Sequence, residues 1–387
     1  MKLNDEILEE LRKLFSHYPD YKTFVEKRPP GINFDSIEDV EELFDAAKDD
    51  DFWYLTSYYI SSDSLIIKAN DKTTNDIEKE IEDNEPSNYK RIIVELDNKN
   101  YPGLENLNKY DSILVRIKGM PGFCSVDEFL DMREFFNTFL ETYPTEGMSE
   151  LEKITLAYDH VKFFEYQWDE EDSHSLSSRN IAKVFSTSNI VCAGYTYMFC
   201  ELLREMGIES AIMSVQEDDE DNEFNHVRPL VQVNDKKYNI NGLYIFDPTW
   251  DSSQDMYLTE TKDGKKYYGS RLDDDVKVIK ELPRTVSYNF FLVPAREYKK
   301  YFPNEIIDTL EKYPTDEEVE YSEDINIDSL DTDNLKFSEI INILPEVLRT
   351  VKRIEGMPEE QIDEYIDDAM NIIIKYRFEI IRSAPKF

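Results

Sequence analysis

A chain of 387 residues, 40% hydrophobic and 13% aromatic, is long enough to bury more than one core and too apolar to be disordered throughout. Its formal net charge of −39 repels phosphates, which argues against nucleic acid and anionic membranes as partners. Three cysteines (Cys124, Cys192, Cys200) without a Cys-x-x-Cys, and four histidines without a His-Glu-x-x-His, argue against a disulfide framework and against a metal site.

The acidic start, Met1 to Glu6, has no apolar run of the kind a secretory signal needs. No stretch of eighteen apolar residues occurs, so no membrane span is expected, and the cytoplasm is the expected location. Ile7, Leu8, Leu11 and Leu14 stand at helical spacing, and Glu38–Ala47 reads as a second amphipathic helix. β-rich runs follow at Ser64–Ile67, Ile92–Leu96 and Ser112–Ile117, then a helix over Val126–Leu140. Residues 1–145 therefore read as an α/β module, one in which no functional motif is legible.

A new unit, 146–300, opens on the capping-box pattern Ser149-x-x-Glu152. Leu151, Ile154, Tyr158, Val161 and Phe164 carry its first helix, and a polar stretch, 170–179, ends it. After Ser186-Thr187-Ser188-Asn189, any of which can cap, Tyr195, Met198, Phe199, Leu202, Leu203 and Met206 trace one helical stripe that Gly207 terminates. Ala211–Val215 reads as a strand and Glu217–Glu223, with six carboxylates, as a solvated loop. Leu230–Val233, Lys236–Ile240 and Leu243–Phe246, separated by Asn234-Asp235 and Asn241-Gly242, describe an antiparallel meander, and Ser287–Val293 a further strand. Residues 301–387 read as helical: Ile340, Leu344, Val347, Val351 and Ile354, then Ile362 to Ile380, form a hairpin broken at Gly356-Met357-Pro358. Pro345 suggests a start within the first pattern, and Asp316–Asp333 a linker.

The chemistry concentrates in the middle unit. A cysteine with a pKa of about 8.5 needs help to attack a carbonyl at neutral pH, and a helix N-terminus supplies roughly half a positive charge. Cys192 stands where a loop enters a helix, with Ala193 and Gly194 leaving room for an oxyanion among backbone N–H groups. His226 begins one strand of the meander and Asp247 ends another, within reach of each other across strands about 4.8 Å apart. Val191-Cys192-Ala193-Gly194-Tyr195, Asn225-His226 and Phe246-Asp247-Pro248-Thr249-Trp250-Asp251 resemble, in order, the three blocks of the bacterial transglutaminase-like superfamily. The helix before them, with Tyr166 and Trp168, and the aromatic Tyr288-Asn289-Phe290-Phe291 after them are similar too, so that the likeness covers residues 148–298.

That resemblance implies an α+β, papain-like core of helices packed on an antiparallel sheet, between the N-terminal module and the C-terminal helical hairpin. It implies Cys192 as nucleophile, His226 as general base and then acid, and Asp247 as the group that orients it. The activity implied is cofactor-free acyl transfer on a protein or peptide amide through a thioester; a peptidase or amidase with the same triad, or a silent peptide-binding scaffold, are the alternatives. Tyr166, Gly194, Tyr195, Arg228 and Trp250 are the further candidates for oxyanion or substrate contact. Many members have Trp-Asn where this chain has Arg228-Pro229, and Pro229 suggests a strand that starts late or lies at an edge. Read without the blocks, Cys192 is a buried thiol, His226 a strand-end histidine and Asp247 a turn-former before Pro248. Cys200 and Trp250 read as packing, Cys124 lies in a turn with no assigned role, and His17, His160 and His174 read as surface or helix residues.

Overall fold

The computed structural model describes residues 64–69, 72–84, 91–96, 104, 107, 109–110, 113–117, 123–166, 180–187, 190–217, 225–252, 255–269, 276–313 and 336–383. The two helices expected before residue 50, His17, Trp168, the polar stretch 170–179 with His174, the acidic run after Glu217 and the linker Asp316–Asp333 lie outside the described residues. The chain divides into two compact units, Met1–Leu130 and Asp131–Phe387.

In the first unit, β1 (Ser64–Lys68), β2 (Arg91–Leu96) and β3 (Ile113–Ile117) form a parallel sheet in that order. Parallel pairing needs a crossover, and α1 (Thr74–Asp83) supplies one between β1 and β2, burying Ile77 and Ile81. Thr73 starts α1 through a capping box with Asp76, in which the Thr73 N–H donates to Asp76 Oδ2 at 2.9 Å. Near the start of α2 (Val126–Thr142), Ser125 and Glu128 repeat that reciprocal arrangement. Cys124 is not in a turn; it is buried and bridges to Val115.

In the second unit, α3 (Glu150–Val161) begins at the Ser149–Glu152 capping box and buries Leu151, Ile154, Tyr158 and Val161. It stops before Phe164, which lies beyond the helix. The short α4 (Ile181–Thr187) precedes α5 (Cys192–Glu205), and Gly207, at φ +75°, ends α5 as the sequence implies. The predicted serine, threonine or asparagine cap does not hold. Val191 occupies the N-cap without a side-chain bond, so the first turn of α5 has no side-chain cap.

Helices α3 and α5 pack on a five-stranded antiparallel sheet of order β10-β6-β5-β4-β11. Its strands are β4 (Ser210–Glu217), β5 (Asn225–Asp235), β6 (Ile240–Ile245), β10 (Val293–Pro294) and β11 (Glu305–Lys312). The fold is thus α+β. The expected three-run meander is two long strands instead, because Asp235 closes a turn over Lys236–Asn239 by accepting from the Lys237 and Tyr238 N–H groups at 2.8 and 3.0 Å. Asn241-Gly242 continues within β6, opposite Val233 and Asn234.

Pro229 does not push β5 to an edge, for β5 lies between β4 and β6. The carbonyl of Pro229 accepts from the Phe246 N–H at 3.0 Å, and along a strand a residue's N–H and C=O point the same way. The missing donor therefore faces the place where β6 has just ended.

Residues 305–312 are a strand and not part of a helical region. Ile307 and Leu310 are three apart, which hides strand alternation, but a register shift between Ile307 and Thr309 lets both pack on the core. The stretch Ser287–Val293 is a strand only at its end, because the Asn289 and Phe290 N–H groups donate to Asp251 (3.0 and 3.1 Å) and not to a ladder. A second antiparallel sheet, β8-β7-β9, comprises β7 (Met256–Thr261), β8 (Lys266–Gly269) and β9 (Val276–Leu282). Between α6 (Pro248–Ser252) and the C-terminal hairpin lies the one-turn α7 (Tyr298–Tyr301).

The hairpin is α8 (Phe337–Ile354) and α9 (Glu359–Ser383), turning at Gly356 with φ +81°. α8 does not start at Pro345 but runs through it; burial of Phe337, Ile340 and Leu344, at about 1.5–3 kcal/mol each, offsets the roughly 3 kcal/mol an internal proline costs. Among the described residues no helix is long and apolar enough to cross a membrane.

Candidate active site

Cys192 is the first residue of α5, its helix axis beginning at the thiol. Pairing of β4 with β5 sets Val215 opposite His226 and Met213 opposite Arg228. The Thr196 hydroxyl of α5 donates to the Val227 carbonyl at 3.1 Å, fixing the helix start against β5 beside His226. His226 and the backbone N–H of Val227 lie close enough to the Cys192 sulfur to favour its thiolate. The thiol is half-buried, whereas Cys124 and Cys200 are fully enclosed.

His226 donates through Nε2 to Asp247 Oδ2 at 2.8 Å, which leaves its other ring nitrogen for the sulfur. Asp247 is held just beyond β6 by its own N–H, which donates to the Phe290 carbonyl at 3.1 Å. Its Oδ1 accepts from the Trp250 N–H at 3.0 Å. Thiol, imidazole and carboxylate are thus neighbours in that order, drawn from a helix start, a central strand and the segment after its neighbour.

Charge follows that order. Burial works against a charged His226 ring, but Asp247 and then Cys192 override it and raise the imidazolium to about 9. Burial likewise favours a neutral Cys192; the hydrogen bond and charge of His226, with the Val227 N–H, win and hold the thiol below its ordinary value. Asp247 is fully buried, which would raise it, yet His226 and Arg228 keep it below the usual carboxylate range. Cys200 has no such neighbour, and burial pushes it up to about 12.

The other sequence candidates separate by position. Trp250 stacks on His226, ring centres 5.5 Å apart, and closes one side of the imidazole. Tyr166 is 36% exposed, lies parallel to Tyr195 at 6.5 Å, and stands near enough to Cys192 to feel its charge. Gly194 is buried in the first turn of α5. Two expectations fail. Tyr195 is fully buried and donates its hydroxyl to the Phe164 carbonyl at 2.6 Å, so it faces no substrate. Arg228 is fully buried too: its Nε donates to Asp247 Oδ2 at 2.6 Å and its fork to the Glu305 carboxylate, the Nη2 bond being 2.7 Å. Buried cations need paired anions, and these two carboxylates claim it.

Sequence reasoning missed Glu305 and Asp251. Asp251 accepts from the hydroxyls of Tyr158 and Ser287, both at 2.6 Å, besides the N–H groups of Asn289 and Phe290. It thereby locks the 287–290 loop whose Phe290 carbonyl positions Asp247. The signal for it was present in the Asp-Pro-Thr-Trp-Asp block; for Glu305, on a strand hidden by a bulge, there was none. Among the described residues no group of three or more His, Cys, Asp or Glu is arranged to hold a metal ion. No protein-family model matches the chain, and no curated protein matches it.

Proposed function

We propose that the second unit is a papain-like, transglutaminase-like cysteine acyltransferase acting on protein or peptide amides. The observation that carries this reading is a partly buried thiol at a helix N-terminus, beside an imidazole whose Nε2 is 2.8 Å from a buried carboxylate. The Cys192 thiolate attacks the amide carbonyl; the sulfur–carbon bond forms and the oxyanion is held among N–H groups at the uncapped start of α5. His226 then gives its proton to the leaving amine, the carbon–nitrogen bond breaks, and a thioester remains on Cys192. An incoming amine, losing its proton to His226, forms the new carbon–nitrogen bond as the carbon–sulfur bond breaks and the Cys192 thiolate leaves; water in the same role yields a carboxylic acid. No cofactor is required, and a reducing compartment such as the cytoplasm keeps the thiol available. The net charge of −39 disfavours nucleic acid as a partner.

The alternatives share the site and differ in outcome. With a glutaminyl peptide, the full chain is expected to form a thioester at Cys192 and to pass the acyl group to an added primary amine. Partition to acid alone, whatever the amine concentration, makes the protein a peptidase or amidase. A chain that forms no thioester and whose Cys192 is no more reactive than an ordinary thiol is a binding scaffold.

A further inference from the structure

Asp247 Oδ2 takes two cationic donors, His226 Nε2 at 2.8 Å and Arg228 Nε at 2.6 Å. A second cation on the acceptor that steadies the imidazolium draws on the same negative charge. Arg228 is not free to move away, because it lies over the rings of Phe302 and Trp250, at 3.9 and 4.6 Å, with its fork on Glu305. Glu305 comes from β11, and the Tyr298 hydroxyl donates to it at 3.1 Å. The thiolate of Cys192, the His226 imidazolium, Asp247, Arg228 and Glu305 thus form a line of alternating sign: minus, plus, minus, plus, minus.

We infer that the Glu305–Arg228 pair is a positioning unit for the thiol site: Glu305 holds part of Arg228's charge, and so sets how firmly Asp247 holds the His226 imidazolium. This rests on the reading of Cys192 and His226 as nucleophile and base. Alternation fixes the signs of the consequences. Neutralising Glu305 leaves Arg228 bearing on Asp247 alone, so the imidazolium becomes a stronger acid. Removing Arg228 and Glu305 together gives Asp247 wholly to His226, so the imidazolium becomes a weaker acid, since the nearer of the two charges dominates. Other titratable groups near this line are Tyr166 beside Cys192, Tyr158 and Tyr376 within the field of Asp247, Tyr298 on the Glu305 carboxylate, and Lys299, whose Nζ donates to the Glu305 carbonyl. Burial raises all four hydroxyls, so they stay neutral over the range in question.

The test is an NMR titration of ring-labelled histidine in the full chain, which has four histidines, followed alongside alkylation of Cys192 against pH. Glu305→Gln, close in shape to the native residue, should lower the His226 midpoint by about one pH unit, a tenfold change in its ionisation constant. The paired variant R228M/E305M should raise it, and R228K, which keeps the charge, should stay near the wild type. If R228M/E305M does not fold, E305Q decides alone. A part confined to holding strands together changes thermal stability and leaves the midpoint where it was. An unmoved or raised midpoint in E305Q, with an intact wild-type ion pair, overturns this inference and spares the acyl-transfer reading. Ordinary wild-type titrations of both Cys192 and His226 overturn the two together.

Discussion

Two chains of buried charge run through the second unit, and they differ in how they end. One is the line from Cys192 to Glu305. The other centres on Asp159 of α3, which takes Lys352 Nζ at 2.8 Å and the Tyr288 hydroxyl at 2.8 and 2.9 Å, with Lys162 3.3 Å away. Lys352 also donates to Glu355 at 2.7 Å, and Lys162 to the carbonyls of Thr285 and Ser287 at 2.7 and 2.6 Å. Both sets are largely buried, and both displace titrations. Burial, only partly offset by Asp159 and Asp251, brings Lys162 down to about 8, while burial and then the charge of Asp159 raise Glu355 to about 7. The Asp159 set is enclosed, its Lys162 amine donating to two backbone carbonyls, and it ties the C-terminal hairpin to α3. The Cys192 set ends in a residue that is only partly buried, at a helix start without a side-chain cap. Displaced titrations alone do not mark a reactive site; a displaced nucleophile with an open edge does.

The largest expected effect breaks the first chain at its reactive end. Cys192→Ala should lower acyl transfer by about 10⁴-fold or more, read as thioester formation and turnover, without loss of fold. Asp247→Asn should cost up to about 10⁴-fold in turnover, because His226 loses the acceptor that fixes its tautomer. Cutting the other chain should do the opposite. Lys352→Met leaves Asp159 short of a cation and should destabilise the fold by about 3–5 kcal/mol in urea unfolding, while turnover per folded molecule holds. Should Lys352→Met change the pH profile of turnover, the two networks are not separate.

The smallest effect concerns pH. His226 binds its proton more tightly in the fold, so its contribution is complete below its ordinary 6.5 and is lost as pH rises through about 9. Asp247, lowered, contributes above its ordinary 3.8 and loses that contribution as pH falls through its folded value. Glu355 is a carboxylate raised from 4.5 to about 7, so the folded state holds the extra proton and stability falls as pH rises between those values. Glu355→Gln should flatten that slope in denaturation measured between pH 5 and 7.

How much of this was legible follows the same division. Local signals read truly: the Ser149–Glu152 box, Gly207 after α5 and Gly356 between α8 and α9 are each fixed by a few adjacent residues. The approach of His226 to Asp247 could be anticipated because β5 and β6 are neighbours in sequence. Contacts set by tertiary structure were not legible. Arg228 looked available for substrate until β11 delivered Glu305, and Ser287–Val293 looked like a strand until Asp251 took its donors. Lys352 and Asp159, on helices far apart in the chain, carried no signal of their pairing.

The proposed chemistry turns on Cys192 being ionised at neutral pH by His226. Iodoacetamide alkylation of the full chain from pH 5 to 9, with each cysteine followed by mass spectrometry, tests it most directly. Cys192 is expected to react far ahead of Cys124 and Cys200 already at pH 6, and His226→Gln to return it to a single titration in the ordinary thiol range. A wild-type Cys192 that reacts at pH 6 no faster than the other two contradicts it.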